Sequence, residues 1–182
     1  MDVVYLTGPP GAGKSTLMAA LTRNCDQHQQ TQPLPHILLL KAGQIAAAEL
    51  GKHRAAFSGT DALAFNIQPK AVEWLKTEPY DLILGEGQRL GNQSFMQAIT
   101  AAGATFHLVY LNAAAPLLMD RCAHRGSTQN TSWAKGAATQ AFTLARAAAD
   151  AGHDVVHLDA RMKPAKLAEE LFTQIPALEP LR

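Results

Sequence analysis

Cysteine is scarce. The 182 residues hold only Cys25 and Cys122, too few for a disulfide framework and without metal-ligand spacing, which predicts a chain folded in a reducing cytoplasm. No apolar run approaches the roughly 20 residues that cross a bilayer, so a soluble protein with no membrane partner is expected. The opening MDVVYLTGPPG lacks the basic segment and long apolar stretch of a signal peptide and reads as a strand. Net charge is nearly absent as well: 16 Lys and Arg stand against 15 Asp and Glu, for a formal +1. That balance neither demands nor excludes a polyanionic partner, and attraction for phosphate has to come from local clusters. Among the 7 histidines no pair has ligand spacing with a third partner, so no zinc site is expected.

What is present is apolar, at 47% of residues, and long enough to close one core, so residues 1–182 are read as one domain. Short runs rich in Val, Ile and Leu recur at 3–6, 37–40, 82–84, 106–111 and 155–158. Each is too short for a helix and too continuous for a half-solvated strand, so they read as central parallel strands. Helical patterns lie between them at 14–23, 45–50, 69–77, 94–102, 115–124, 133–151 and 166–174. Pro69 and Pro116 fit first helical turns, and Gly103 and Gly152 fit the position after a helix end. The polar stretch 26–35 reads as a surface connection. The alternation predicts a three-layer α/β sandwich around a five-stranded parallel sheet.

The first run leads into Gly8-Pro-Pro-Gly-Ala-Gly-Lys-Ser15, which satisfies Gly-x4-Gly-Lys-Ser/Thr between a strand and a helix, the context the motif requires. Glycines let backbone N–H groups converge on a β-phosphate, and the helix that follows adds the positive end of its dipole. Gly8, Gly11, Ala12, Gly13, Lys14, Ser15 and Thr16 are therefore the expected ATP-binding residues. Lys14 would reach the β- and γ-phosphates, Ser15 would ligate Mg²⁺, and Thr16 would lie near the α-phosphate. The expected fold is a P-loop NTPase.

No Asn-Lys-x-Asp element is present, which argues against guanine specificity. The strand Asp81-Leu-Ile-Leu-Gly-Glu86 ends in Gly-Glu where a mechanical ATPase usually carries Asp. Ligands of open α/β sheets bind at the carboxyl ends of strands, which puts Glu86 beside the phosphates and Asp81 at the far end. Glu86 is expected either to hold Mg²⁺ through water or to orient an acceptor.

With Asp120-Arg121-Cys-Ala-His-Arg125-Gly following a helix, the chain resembles the nucleoside monophosphate kinase-like group of small P-loop kinases. In that group a lid in this place carries arginines that close over the transferring phosphoryl group, which implies a lid near 121–136 and an acceptor-side region near 42–78. Arg121 and Arg125 share a helix face and suit charge neutralisation; a solvated basic helix end is the plainer alternative. Phe57-Ser-Gly-Thr-Asp-Ala-Leu, Glu86-Gly-Gln-Arg-Leu-Gly-Asn92, Arg125-Gly-Ser-Thr-Gln-Asn130 and Trp133-Ala-Lys-Gly136 are similar to segments of small phage kinases. Some of those are similar to enzymes that phosphorylate hydroxymethyluracil within DNA, and the resemblance implies the host cytoplasm as the compartment.

The remaining candidates follow from residue chemistry. Asp61, after Gly-Thr, is either a carboxylate that orients an acceptor hydroxyl beside Glu86 or a helix cap. Arg89, Asn92, Gln129 and Asn130 have the bidentate groups that read a base edge or a phosphate. Lys135 suits a phosphate, and Trp133 either stacks on a base or joins the core. The cluster Lys52-His53-Arg54 is an anion-facing loop or an exposed basic turn. Arg161, in Asp159-Ala-Arg161 after the last strand, is a cofactor candidate where related kinases pack a loop against adenine. The expected function is transfer of the γ-phosphoryl of ATP to a nucleotide-like acceptor, with hydroxymethyluracil in DNA first and a free nucleoside, nucleotide or other small metabolite next. The rivals are an ATP-binding switch or ATPase, and a nucleic-acid-binding module with a vestigial loop.

Overall fold

Alternate residues of the central strands enter two different cores. In the computed structural model, which describes residues 1–52, 59–126 and 130–182, strand β1 (Asp2–Thr7) sends Val4 and Leu6 to one face of the sheet and Val3 and Tyr5 to the other. Both faces are covered, which is why these strands read as unbroken apolar runs. In chain order the elements after β1 are α1 (Lys14–Leu21), β2 (Asp26–Gln30), β3 (His36–Lys41), β4 (Gln44–Leu50), a 3₁₀ turn (Thr60–Ala62), α2 (Gln68–Leu75), β5 (Leu82–Glu86) and α3 (Gln93–Ala101). There follow β6 (Thr105–Asn112), α4 (Ala115–His124), α5 (Thr131–Asp150), β7 (Asp154–Asp159), α6 (Pro164–Gln174) and a closing 3₁₀ turn (Pro176–Leu181).

The sheet is mixed and has seven strands in the order β2-β3-β4-β5-β1-β6-β7, where five parallel strands are expected from sequence. Five strands are indeed parallel, β4-β5-β1-β6-β7, but they are not the five anticipated. The run at 37–40 lies in β3, which pairs antiparallel with both β2 and β4. The predicted helix at 45–50 is strand β4, and the predicted connection at 26–35 contains β2. The reason in both cases is partnership rather than intrinsic preference. The alanines of β4 favour a helix in isolation, yet Ala47, Ala48 and Leu50 are buried between β3 and β5. Strand β2, DQHQQ, has no buried residue because it is the edge of the sheet, where polar side chains discourage pairing with another chain.

Helices α1 and α6 cover one face with Leu17, Met18, Leu21, Leu171 and Phe172, joined by Leu118 of α4. Helices α2, α3 and α5 cover the other with Trp74, Leu75, Phe95, Ile99 and Leu144. Proline lies in the first turn of α2, α4 and α6, and Gly103 and Gly152 follow α3 and α5 with φ of 90° and 79°. No helix among the described residues is long and apolar enough to cross a membrane. The carboxyl ends of β1 and β5 lie side by side, with Leu6 opposite Glu86. The first loop and Glu86 therefore meet at the carboxyl end of the central strands.

Candidate active site

Helix α1 begins directly after the loop. Its N-cap, Gly13, has the left-handed φ of 88° and offers no side chain to cap the first turn, so the amides there are left to an external acceptor, as at an anion-binding helix terminus. Lys14 Nζ donates to the carbonyls of Gly8 (2.9 Å) and Pro9 (3.3 Å), folding back along the loop that it would share with a phosphate. Burial pushes the Lys14 amine below its ordinary pKa and Arg125 acts in the same direction, while Glu86 and Asp61 oppose them. Lysine, two carboxylates and the arginine at the end of α4 thus feel one another across a small space.

Ser15 Oγ donates to Glu86 Oε1 at 2.7 Å, and Glu86 is 2% exposed. A hydroxyl beside a carboxylate is a hard oxygen donor set that fits Mg²⁺, an ion that takes one or two protein oxygens and completes its shell with water and phosphate. Glycine occupies position 85, where the strand departs from the mechanical ATPases, because the Tyr5 ring lies over it: a β-carbon there would come within 2.7 Å of that ring. The Tyr5 hydroxyl in turn lies 2.9 Å from Thr60 Oγ1 and donates to the Gly87 carbonyl at 3.1 Å, while Thr60 donates to the Glu86 carbonyl at 2.8 Å. Burial raises the Tyr5 phenol well above its ordinary pKa, so it stays a neutral donor.

The turn at 59–62 is fastened to the turn after β5 a second time. Asp61 Oδ1 accepts from the backbone amides of Gln88 (2.7 Å) and Arg89 (3.0 Å), and its other oxygen makes no hydrogen bond among the described residues. Asp61 therefore holds the loop and keeps one oxygen available. Gly59 lies against Glu86 itself: its φ is 61°, and a β-carbon on it would come within 2.7 Å of Glu86 Oε1.

Beside the loop opens a cavity of about 500 Å³ bounded by Gly11, Ala12, Gly13 and Thr16 on one side, by Arg121, His124 and Arg125 of the α4 end on another, and by Ala160, Met162, Pro164 and Leu167 on the third. The structure thus brings together the loop, Lys14, Ser15, Thr16, Glu86, Asp61, Arg121 and Arg125. It treats other candidates differently. Arg161 is exposed and its guanidinium grips Asp159, whose carboxyl is pulled down to about 2; its neighbours Ala160 and Met162 line the cavity instead. Asn92 caps α3 by accepting from Phe95 N and donates to Gln68, and Asn130 caps α5 by accepting from Trp133 N. Lys135 is exposed on α5, and Trp133, 42% exposed, is not a core residue. Gln129, His53, Arg54 and Phe57 lie outside the described residues.

Sequence reading missed four residues near the site. Glu49, 1% exposed, is carried on β4 with the same parity as Ala47, toward the α1 face that Glu86 shares, and was hidden by the helix expected there. Tyr5 reads as one more apolar strand residue. Gln140 Nε2 donates to the carbonyls of Gln88 (3.2 Å) and Gly91 (3.0 Å), tying α5 to the Glu86 loop. Phe65 lies in the turn before α2, with Arg89 over its ring. Only an exposed aromatic flanked by turn residues hints at it in the sequence.

Residues 1–170 match the family model described as P-loop Nucleotide Kinase3, and the chain belongs to that family. It is thus a P-loop kinase by family, with the first loop as its nucleotide-binding element. A curated relative, the hemin import ATP-binding protein HmuV of Rhodococcus jostii (strain RHA1), is 33% identical over 79 residues, 43% of this chain. The match spans about a quarter of that protein's length (26%). Among solved structures, an unliganded sugar kinase from Janibacter sp. HTCC2649 superposes with a TM-score of 0.57 at 14% identity, over 98% of each chain. At that identity the likeness shows the fold, a P-loop α/β sheet.

Proposed function

We propose that this chain is an ATP-dependent phosphotransferase that moves the γ-phosphoryl group onto a hydroxyl of a nucleotide-like acceptor. The observation that carries the reading is the pairing of Ser15 with buried Glu86 at 2.7 Å, at the head of the phosphate loop. A carboxylate there suits a kinase, which has to hold cation and acceptor within one charged pocket. The loop amides and Lys14 would hold the β- and γ-phosphates, and Ser15 and Glu86 would hold Mg²⁺, which supplies neutralisation of phosphate charge when bound. The acceptor oxygen attacks the γ-phosphorus, its proton passes to a carboxylate, Glu86 or the available oxygen of Asp61, and ADP leaves. Arg121 and Arg125 line the cavity and would spread the charge that develops on the equatorial oxygens.

Hydroxymethyluracil in DNA remains the first acceptor to try, on the sequence resemblance, followed by free nucleosides, nucleotides and other small metabolites. A second reading, an ATP-binding switch or ATPase, has the HmuV likeness in its favour. ADP release with and without acceptor separates the two. Acceleration only when a hydroxyl-bearing acceptor is supplied supports the kinase; equal turnover without acceptor rejects it.

A further inference from the structure

We propose that Tyr5 is a positioning residue: its hydroxyl, acting with Thr60, fixes the backbone at Glu86 and Gly87 so that the Glu86 carboxylate stays against Ser15. The proposal deepens the kinase reading above and rests on the role that reading gives Glu86. Tyr5 lies on β1, three residues ahead of Gly8, and is 0% exposed, as is Thr60. A phenol in the middle of a central strand has to find a buried partner or forfeit the hydrogen bonds it would make to water. Phenylalanine would fill the same space without that demand.

The partners converge on one point. Thr60 Oγ1 donates to the Glu86 carbonyl at 2.8 Å, which leaves its lone pairs to accept from Tyr5 Oη at 2.9 Å, and the Gly87 carbonyl shares the phenol proton at 3.1 Å. Two hydroxyls thus hold two successive carbonyls, those of Glu86 and of the residue after it. Burial raises the phenol above its ordinary pKa, so its proton stays in place.

The ring sets the reach of the hydroxyl. Gly85 lies against Cδ2 and Cε2, where a β-carbon would come within 2.7 Å, and Gly91 lies against Cε1, where one would come within 3.1 Å. Phe95 meets the ring edge-on, with centroids 6.3 Å apart. None of this packing uses the hydroxyl, so Tyr5→Phe keeps the core and removes only the hydrogen bonds. What it frees is the Gly87 carbonyl, directly beside Glu86, and one fastening of the turn whose Asp61 accepts from the Gln88 and Arg89 amides. A buried carbonyl left without its donor pulls the backbone toward another, and the Glu86 side chain moves with it.

Calorimetry with AMPPNP, a non-hydrolysable ATP analogue, reads the site without turnover, in Mg²⁺ and in EDTA, for wild type, Tyr5→Phe, Thr60→Val and Thr60→Ser. Positioning predicts that the Mg²⁺-dependent gain in affinity shrinks roughly 5-fold in Tyr5→Phe and Thr60→Val and returns in Thr60→Ser, with metal-free binding unmoved. Transfer from γ-labelled ATP to hydroxymethyluracil-containing DNA, free nucleosides and nucleotides is followed in parallel, well below each melting temperature. There kcat should fall roughly 10- to 100-fold in Tyr5→Phe while acceptor KM moves less. Added to Glu86→Gln, the same substitution should cost under about 2-fold, because a residue that acts through Glu86 then has nothing left to position. A lower melting temperature with Mg²⁺ dependence and kcat unchanged would leave an architectural phenol and overturn the proposal. So would full additivity with Glu86→Gln, or no Mg²⁺-dependent gain in wild type. Wild type that transfers to none of the acceptors while the Mg²⁺ gain still shrinks in Tyr5→Phe sinks the kinase reading alone. Wild type that transfers, with both readouts unmoved in Tyr5→Phe, sinks the positioning role alone.

Discussion

Glu86 is a buried carboxylate, and the groups around it include ones a kinase needs: Ser15 donating at 2.7 Å and Lys14 close enough for the carboxylate to act on its amine. Replacing it by Gln keeps an acceptor for Ser15 and removes only the charge. Glu86→Gln is expected to lower phosphoryl transfer by about 100-fold or more with little change in melting temperature; an unchanged rate in steady-state kinetics would remove Glu86 from the mechanism. Lys14 carries the opposite conflict. Burial holds its pKa below the ordinary value, so between the folded and unfolded values the unfolded chain binds more protons and stability of the ligand-free protein rises with pH. Below the folded value the charged amine is fully penalised. Lys14→Met should therefore melt at or above wild type at pH below that folded value, with the advantage shrinking as pH climbs toward the unfolded value. The same variant should lose the MgATP-induced rise in melting temperature, which in wild type reaches about 2.7 kcal/mol of stabilisation at a hundredfold excess over Kd. A lower ligand-free melting temperature together with an intact nucleotide shift would refute this account of Lys14.

The turn at 59–62 matters as a unit because three contacts lock it to the end of β5: Thr60 to the Glu86 carbonyl, Asp61 to the amides of Gln88 and Arg89, and Gly59 against the Glu86 carboxylate. Gly59 has both a φ that other residues adopt at a penalty and no space for a β-carbon. Gly59→Ala should cost about 2 kcal/mol of stability and displace Glu86, lowering transfer more than the stability loss alone explains. Kinetics measured well below the variant's melting temperature would show normal activity if the turn were only a connection. The sequence marks Gly-Thr-Asp61 as a turn beside Glu86 but not its fastening to the end of β5, because those partners lie dozens of residues away. Strand β4 was misread for a related reason: Ile45 to Leu50 is rich in alanine, and what makes it a strand is the place between β3 and β5, which no local pattern announces. By contrast the phosphate loop and the bounds of α4, Ala115–His124, were legible, since a glycine-rich turn, a proline in the first turn and basic residues at the end are local signals.

At the scale of the whole molecule the donor side and the acceptor side differ in how they are built. The donor side is one contiguous loop with its helix, closed by the α4 end and the β7–α6 turn around a cavity of about 500 Å³. On the proposed reading the acceptor side would be assembled from 59–66, 85–92 and, through Gln140, α5, which contacts tie together. Sequence reading accordingly found the donor chemistry and only fragments of the acceptor chemistry: Arg89 and Asp61 stood out as polar residues, whereas Tyr5, Glu49 and Phe65 acquire meaning only from their neighbours. The α4 end belongs to the donor side, where Arg121 lies 3.5 Å from the Gly11 carbonyl. Arg121→Ala combined with Arg125→Ala is expected to reduce kcat by about 100-fold or more while MgATP affinity falls far less; an equal loss in both would make them binding residues only. The central claim is tested most directly by following label from γ-labelled ATP into a panel of hydroxymethyluracil-containing DNA, ordinary DNA, and free nucleosides and nucleotides, with Lys14→Ala as control. The account predicts label in a base-bearing acceptor, lost in the control; label appearing only as inorganic phosphate, at the same rate with or without any acceptor, would contradict it.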